Sequence, residues 1–145
     1  MFRGTHENTI DDKGRVSFPA AFRGLLPGED ARLVITNYNP AHLWVFPYER
    51  WVQLEERLRG LPIMDDEAQG LVRFLVGGAY DVTIDKLGRI LIPPRLREYA
   101  QLKKNIAFVG SLARVEIWSK ENWDPAFTAS ADQFASVAKK FNVVI

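Results

Sequence analysis

Ile10-Asp-Asp-Lys-Gly-Arg-Val-Ser-Phe-Pro-Ala-Ala-Phe-Arg23 aligns without a gap to Ile84-Asp-Lys-Leu-Gly-Arg-Ile-Leu-Ile-Pro-Pro-Arg-Leu-Arg97. Six of the 14 positions are identical, where average residue frequencies give about one by chance. Three further pairs, Val16/Ile90, Phe18/Ile92 and Phe22/Leu96, exchange one apolar residue for another. The likeness resumes where Leu43-Trp-Val-Phe-Pro-Tyr-Glu-Arg-Trp51 faces Val115-Glu-Ile-Trp-Ser-Lys-Glu-Asn-Trp123, after a register change of two residues. The chain is a tandem duplication, and its period organises everything else.

Each copy reads as strand, tight turn, strand, short helix, strand, turn, strand, helix. Thr9 to Asp11 and Arg15 to Phe18 flank Asp12-Lys-Gly14. A three-residue loop ending in glycine predicts a type I turn with a left-handed residue and a bulge, closing a β-hairpin. Lys86-Leu-Gly88 repeats it in the second copy. Pro19 and Pro93 end a strand and open a helical turn, where the missing N–H costs nothing. Pro27 to Asp30 reads as a turn, and Arg32 to Thr36 and Leu43 to Phe46 as strands joined through Asn37 to Pro40. Tyr48 to Arg59 is an amphipathic helix presenting Trp51, Leu54, Leu58 and, just beyond, Leu61. Asp66 to Phe74 is a second helix, opened by acids, that should bury Leu71, Val72 and Leu75. Glu121 to Phe141 is a third, interrupted at Pro125. The boundaries are a first module over 1–52, a helical connection over 53–76, a second module over 77–125 and a C-terminal helix or tail over 126–145. Neither half is long enough for a good core of its own, so the copies should share one β-rich core about a pseudo-twofold axis.

Composition narrows the function. At 145 residues, 47% apolar and 26% charged, the chain has the make-up of an ordinary globular protein. It has no cysteine, which excludes disulfides, thiolate zinc sites and thiol catalysis and fits an intracellular compartment. Met1 to His6 carries no apolar stretch, so no signal peptide is expected there, and no run approaches the ~20 apolar residues of a membrane span. His6, in the first strand, and His42, in a turn, lack a second metal ligand at helical spacing, and no Ser-His-Asp set is found. Gly77-Gly78 is not followed by the Gly-Lys-Ser/Thr of a phosphate loop. An enzyme, a cofactor, a metal and a small-molecule substrate are therefore not expected. The net charge of +1 hides an uneven distribution. Residues 80 to 104 hold six bases against three acids, and residues 48 to 69 hold six acids against three bases. One basic face is compatible with a nucleic-acid partner.

The candidate site is Asp-x-x-x-Arg, present twice as Asp11/Arg15 and Asp85/Arg89. Each pair flanks its loop, so the carboxylate can hold the guanidinium across the turn and leave its other donors for a phosphate or a guanine edge. Gly14 and Gly88 let the loop approach closely, and Lys13 and Lys86 add charge there. The same spacing also fits a plain cross-strand ion pair, contributing under ~1 kcal/mol if exposed.

Met1-Phe-Arg-Gly4, Asp11-x-Lys-Gly-Arg-Val16 with Pro19 and Arg23, and Asp85-x-x-Gly-Arg-Ile-Leu-Ile-Pro93 with Arg97 resemble the MraZ family. Each half is also similar to the AbrB-type swapped-hairpin DNA-binding module. The likeness covers residues 1 to 125. It implies an α+β, β-rich fold of two swapped-hairpin modules forming a pseudo-twofold β-barrel with flanking helices. It further implies a bacterial transcriptional regulator, cytoplasmic and nucleoid-associated, that binds short direct repeats of double-stranded DNA. Its target would be the promoter of the division and cell-wall gene cluster containing its own gene, bound by a ring-shaped homo-oligomer. By position, the family's motif residues are Asp11, Arg15, Asp85 and Arg89, the basic residue after the proline is Arg23 or Arg97, and Arg3 is a further candidate DNA contact. The loops differ, because Asp12 and Lys13 become Lys86 and Leu87. The rival reading is a ring-forming interaction scaffold without DNA specificity. Four tryptophans, Trp44, Trp51, Trp118 and Trp123, lend it support, although Trp51 and Trp123, at matching positions, also suit core packing.

Overall fold

The computed structural model describes residues 1–28 and 31–143. The end of the turn expected over Pro27 to Asp30, and the last two residues of the C-terminal segment, lie outside them. Among the described residues there are eight strands and five helices. The first copy contributes β1 (Thr5–Thr9), β2 (Arg15–Ser17), α1 (Ala20–Arg23), β3 (Arg32–Tyr38), β4 (His42–Pro47) and α2 (Tyr48–Leu58). After α3 (Asp66–Leu75) the second copy gives β5 (Tyr80–Thr83), β6 (Arg89–Leu91), α4 (Pro94–Tyr99), β7 (Asn105–Ser111), β8 (Arg114–Ser119) and α5 (Lys120–Lys140). Secondary structure thus repeats with the sequence. Strand pairing repeats too, but it crosses between the copies.

One sheet runs β1-β7-β8-β4-β3-β5 and a separate ribbon pairs β2 with β6, every ladder antiparallel. Each copy forms its own long hairpin, β3–β4 or β7–β8, and lends its first strand to the hairpin of the other copy. The expected local hairpin of Thr9 to Asp11 with Arg15 to Phe18 is therefore corrected. Two backbone bonds, from Asp11 N–H to the Arg15 carbonyl (2.9 Å) and from Gly14 N–H to the Asp11 carbonyl (3.0 Å), close the turn. The two segments then diverge to partners in the other copy. Two of the four cross-copy ladders centre on equivalent residues. Val16 lies opposite Ile90 in the ribbon, and Trp44 lies opposite Glu116 where β4 meets β8. An axis relating the two copies must pass between both pairs, which is the anticipated pseudo-twofold. The sheet keeps β1 and β5 as open edges and no ladder joins it to the ribbon, so sheet and ribbon form two layers rather than the expected closed barrel.

The core lies between these layers. Val16, Ile90, Phe18, Ile92, Phe22 and Leu96 come from the ribbon and the short helices, and pack against Leu33, Ile35, Leu43, Val45, Ile106, Phe108, Val115 and Ile117 of the sheet. The sheet residues alternate along each strand, as one inward face requires. Phe18 bridges the layers, edge-on to both Phe22 and Phe108. On the outer face α2 and α3 cover Val34 and Phe46, burying Trp51 and Leu75. The carbonyls at the end of α3 are taken by β3, where the Thr36 hydroxyl donates to Leu75 (2.5 Å) and the Asn37 amide to Phe74 (2.8 Å). A Cβ on Gly78 would strike the Asn37 side chain at 2.6 Å, which accounts for a glycine at the exit of the helix. These anchors hold only the C-terminal turn of α3. Leu71, expected in the core, is 48% exposed for that reason. The helix α5 runs unbroken through Pro125, contrary to the expected interruption. The proline falls in the second turn and forfeits a single bond, to the Glu121 carbonyl. Trp123 is half-buried against Trp118, ring centroids 5.8 Å apart.

His42 is not in a turn but opens β4, and only 4% of it is exposed. Its Nδ1–H donates to the Pro40 carbonyl and its Nε2 accepts from Trp44 Nε1 (3.1 Å), so the neutral ring is fully satisfied. The ring stacks on Trp118 with Glu116 at 4.0 Å. Burial holds its pKa below the ordinary 6.5. As pH falls below 6.5 the unfolded chain takes a proton that the folded chain refuses, so stability drops until pH passes the folded pKa. Thermal melts between about pH 7.5 and 5 should show this decline, and a His42→Gln variant should flatten it; an equal slope in both proteins rules the histidine out. Because every ladder of the first copy other than β3–β4 crosses to the second, isolated residues 1 to 60 should be unfolded or self-associated by circular dichroism and sedimentation, and a cooperatively melting monomer contradicts the strand exchange.

Candidate nucleic-acid interface

The ribbon carries the two Asp-x-x-x-Arg motifs at its ends. In the first loop the Asp11 carboxylate accepts the backbone N–H groups of Lys13 (3.0 Å) and Arg15 (2.9 Å) with one oxygen, and Arg15 Nε (2.8 Å) with the other. Asp85 repeats the set with Leu87 (2.9 Å), Arg89 (2.8 Å) and Arg89 Nε (3.0 Å). Each aspartate is thus both the turn's cap and the arginine's clamp. Both carboxyls lie below the usual carboxylate range, first because of the backbone N–H of the arginine and then because of its guanidinium. Both clamps are solvent-exposed, so their electrostatic contribution to stability is small. What they fix is direction. Nε is committed to the aspartate, and among the described residues no protein group accepts from the terminal nitrogens of either arginine.

The glycines at the loop ends are required twice over. Gly14 and Gly88 have φ of 88° and 79°, the left-handed residue expected of this turn. Their carbonyls accept from Ile92 and Phe18 across the ribbon, both at 2.9 Å, extending its ladder by one residue at each end. A Cβ on Gly14 would lie 2.7 Å from Arg97 Nε and 2.9 Å from the Ile92 carbonyl. A Cβ on Gly88 would overlap the Arg23 guanidinium. Each short helix therefore lays its arginine over the loop of the other copy. Arg97 Nε donates to the Ile92 carbonyl (3.0 Å), whereas Arg23 Nε is buried and finds no partner among the described residues. Arg23 and Arg97 are half-buried here, Arg97 lining one cleft with Asp11 and Asp12 and Arg23 another with Asp85 and Lys86.

Arg15 and Arg89 share a face. Val16 and Ile90 point into the core, so Arg15, Ser17, Arg89 and Leu91 point out. In the ladder Arg15 lies opposite Leu91 and Ser17 opposite Arg89, so the arginines are diagonal neighbours with about 7–8 Å between them. Lys13 and Lys86 are exposed on the two loops. Lys103 and Lys104, which the motif reading did not single out, line one cleft with Asp11 and Asp12, and only the local excess of base pointed to them. Arg3 is exposed just before β1, its backbone against Gly110, at the end of that strand away from the Asp11 loop. It does not join the cluster. Ser17 and Leu91 were legible only once β2 was known to pair with β6. Among the described residues no three His, Asp or Glu side chains are grouped as a metal site, and no helix is long and apolar enough to cross a membrane.

The family model of the MraZ protein matches the chain twice, over residues 1–74 and 75–143. A protein of Moorella thermoacetica is 42% identical over 140 residues, covering 97% of this chain and 96% of its own. One from Desulfitobacterium hafniense strain Y51 is 46% identical over 139 residues, covering 96% and 95%. One from Caldanaerobacter subterraneus is 41% identical over 146 residues, covering 99% and 100%. All three are named transcriptional regulator MraZ.

The double demand on Gly14 is measurable. Gly14→Ala should cost more than ~1 kcal/mol in denaturant unfolding, since alanine resists the left-handed region. Adding Arg97→Ala should recover part of that loss, because it removes one of the two overlaps; strictly additive losses would mean that Arg97 does not press on the loop.

Proposed function

The chain belongs to the MraZ family, and from that premise we propose that it is a sequence-specific transcriptional regulator that binds double-stranded DNA with the outer face of the β2–β6 ribbon. The observation that carries this reading is the pair of arginines on one face, each held through Nε with its terminal nitrogens unclaimed by protein. A two-stranded ribbon is narrow enough for the major groove, and a pre-set guanidinium can accept a guanine edge or phosphate without losing much side-chain freedom. Asp11 and Asp85 orient, and Gly14 and Gly88 shape the loop. Lys13 and Lys86 add phosphate contacts at the tips, and Arg3 serves as an outlying one. Arg23 and Arg97 brace the loops. The resemblance to MraZ regulators supports a target in the promoter of the division and cell-wall gene cluster, in the cytoplasm at the nucleoid. It also supports two DNA-binding modules, and the same reading takes 53–76 as connection and 126–145 as tail.

Assembly into a homo-oligomeric ring belongs to the same reading. Phe127, Phe134 and Val137 on α5, with Phe141 just past its end, leave an exposed apolar row. The sequence equivalent of α5 is α2, which forms a groove of about 780 Å³ with α3, lined by Leu58, Leu61, Ile63, Val72 and Val76. Among the described residues nothing covers this row of α5 as α3 covers α2. A second copy of this chain suits it as occupant. Its groove offers apolar surface, and Asp65, Asp66 and Glu67 beginning α3 offer acids to Lys139 and Lys140 ending α5. Such a contact joins two different surfaces and can propagate into a ring.

Arg15→Ala combined with Arg89→Ala should abolish most affinity for the upstream repeats. If the arginines read guanine, each should cost ~1–3 kcal/mol and relax specificity; if they clamp phosphate, the loss should be uniform and the salt slope should fall by about one per contact. Asp11→Ala should weaken binding, while the loss of the turn's cap lowers stability only modestly. Wild-type affinity in the double arginine variant at physiological salt would reduce both motifs to turn staples.

A further inference from the structure

The two ends of the ribbon have the same geometry and different chemistry. The aspartate clamp, the left-handed glycine and the arginine recur, but at two positions the second copy replaces a polar side chain with leucine. Leu87 stands where the first loop has Lys13, and Leu91 stands where β2 has Ser17. Neither leucine belongs to the core. Leu87 is 72% exposed and Leu91 54%, whereas Val16 and Ile90 between them are buried. Leu91 lies directly opposite Arg15, on the outward face it shares with Arg89, and the Leu87 N–H is fixed to the Asp85 carboxylate. One large apolar side chain thus sits on the turn that orients Arg89, and the other on the ribbon face otherwise built from Arg15, Ser17 and Arg89.

Resting on the reading that this face meets DNA, we propose that Leu87 and Leu91 are specificity residues that contact thymine C5-methyl groups. Phosphate and sugar give a leucine little to recognise, and among the base edges in the major groove the thymine methyl is the apolar feature. Leucine beside an oriented arginine matches a thymine next to a guanine. The equivalent residues of the first copy, Lys13 and Ser17, match phosphate and polar base edges instead. The pseudo-twofold is therefore broken at the surface that reads DNA. One chain recognises a site without palindromic symmetry and in a single orientation.

The test uses the full-length protein and a duplex selected by it from a randomised pool. Each thymine of that duplex is replaced in turn by deoxyuridine, which removes the methyl group and keeps base pairing. Wild-type affinity should fall about fourfold at one or two positions, the fold-change that goes with burying one methyl group. The double variant Leu87→Ser/Leu91→Ser, whose Leu91→Ser change copies Ser17, should bind the thymine and uracil duplexes equally, while Arg15→Ala, though weaker, still prefers thymine. Indifference of the wild type to every replacement, or a selected site without thymine, overturns the inference. So does a double serine variant that still discriminates, or that changes the oligomeric state seen by sedimentation without changing discrimination. Loss of affinity in the arginine variants with no uracil effect leaves the ribbon as the DNA-binding face and removes only the leucines. Full affinity in Arg15→Ala with Arg89→Ala removes the face itself, and the leucines with it.

Discussion

The pairing of Val16 with Ile90 is the contact on which the remaining structure turns. Each residue belongs to a different copy, each is buried, and each has as its ladder partner its own sequence equivalent. A strand of three residues cannot hold itself together. It persists because both glycine carbonyls add a bond at its ends, and because the side chains beneath it fill the space above the sheet. The short helices start at the prolines that follow the ribbon and send Arg23 and Arg97 back across to the opposite loops. Loop, ribbon, helix and core are one mechanical unit shared by two half-chains. The exposed arginines inherit their positions from it.

Strand exchange also explains why the outer face is finished unequally. The inner face is symmetric, since both copies contribute the same kinds of residue to one core. Outside, Trp44 and Glu116 meet at the axis, and the two sides diverge from there. Tyr38 stacks on Trp44 at 3.5 Å and Arg114 covers its other side at 3.8 Å, while His42 stacks on Trp118. On the first side α2 and α3 seal the sheet. On the second a single helix of 21 residues departs with its aromatic residues uncovered. Selection on a duplicated core can keep both halves equal where they pack together, and let them diverge where each meets something else.

How much of this was legible in the sequence follows the range of the interactions. The glycine turns, the proline-started helices, the β3–β4 hairpin and the amphipathic α2 are decided by residues within a few positions of one another, and the repeat made each visible twice. The Asp–Arg clamps were visible for the same reason, being four residues apart. The exchange of β1 and β2 was not visible in periodicity, because a strand shows which face it buries and not which edge it joins. The face shared by Ser17 and Leu91 was hidden with it. Arg23 and Arg97 read as surface bases by composition, yet a guanidinium can brace a distant glycine through contact that no spacing records. His42 looked like a turn residue because it follows Asn39 and Pro40, and its burial depends on Trp118 from the other copy.

The clamp sets a limit on what one chain can do with DNA. Each arginine shares its charge with an aspartate at 2.8–3.0 Å, so the pair presents a direction more than a field. With a net charge of +1 the chain as a whole adds little long-range attraction. Affinity that rests on counterion release grows with the number of phosphates neutralised, and a single ribbon reaches few. A reader built this way is selective and weak on its own. Repetition corrects the weakness without altering the selectivity, since a second tethered ribbon binds at an effective concentration set by the assembly rather than by the solution. If copies assemble through the uncovered row on α5, as proposed, each oriented pair of arginines counts once per copy.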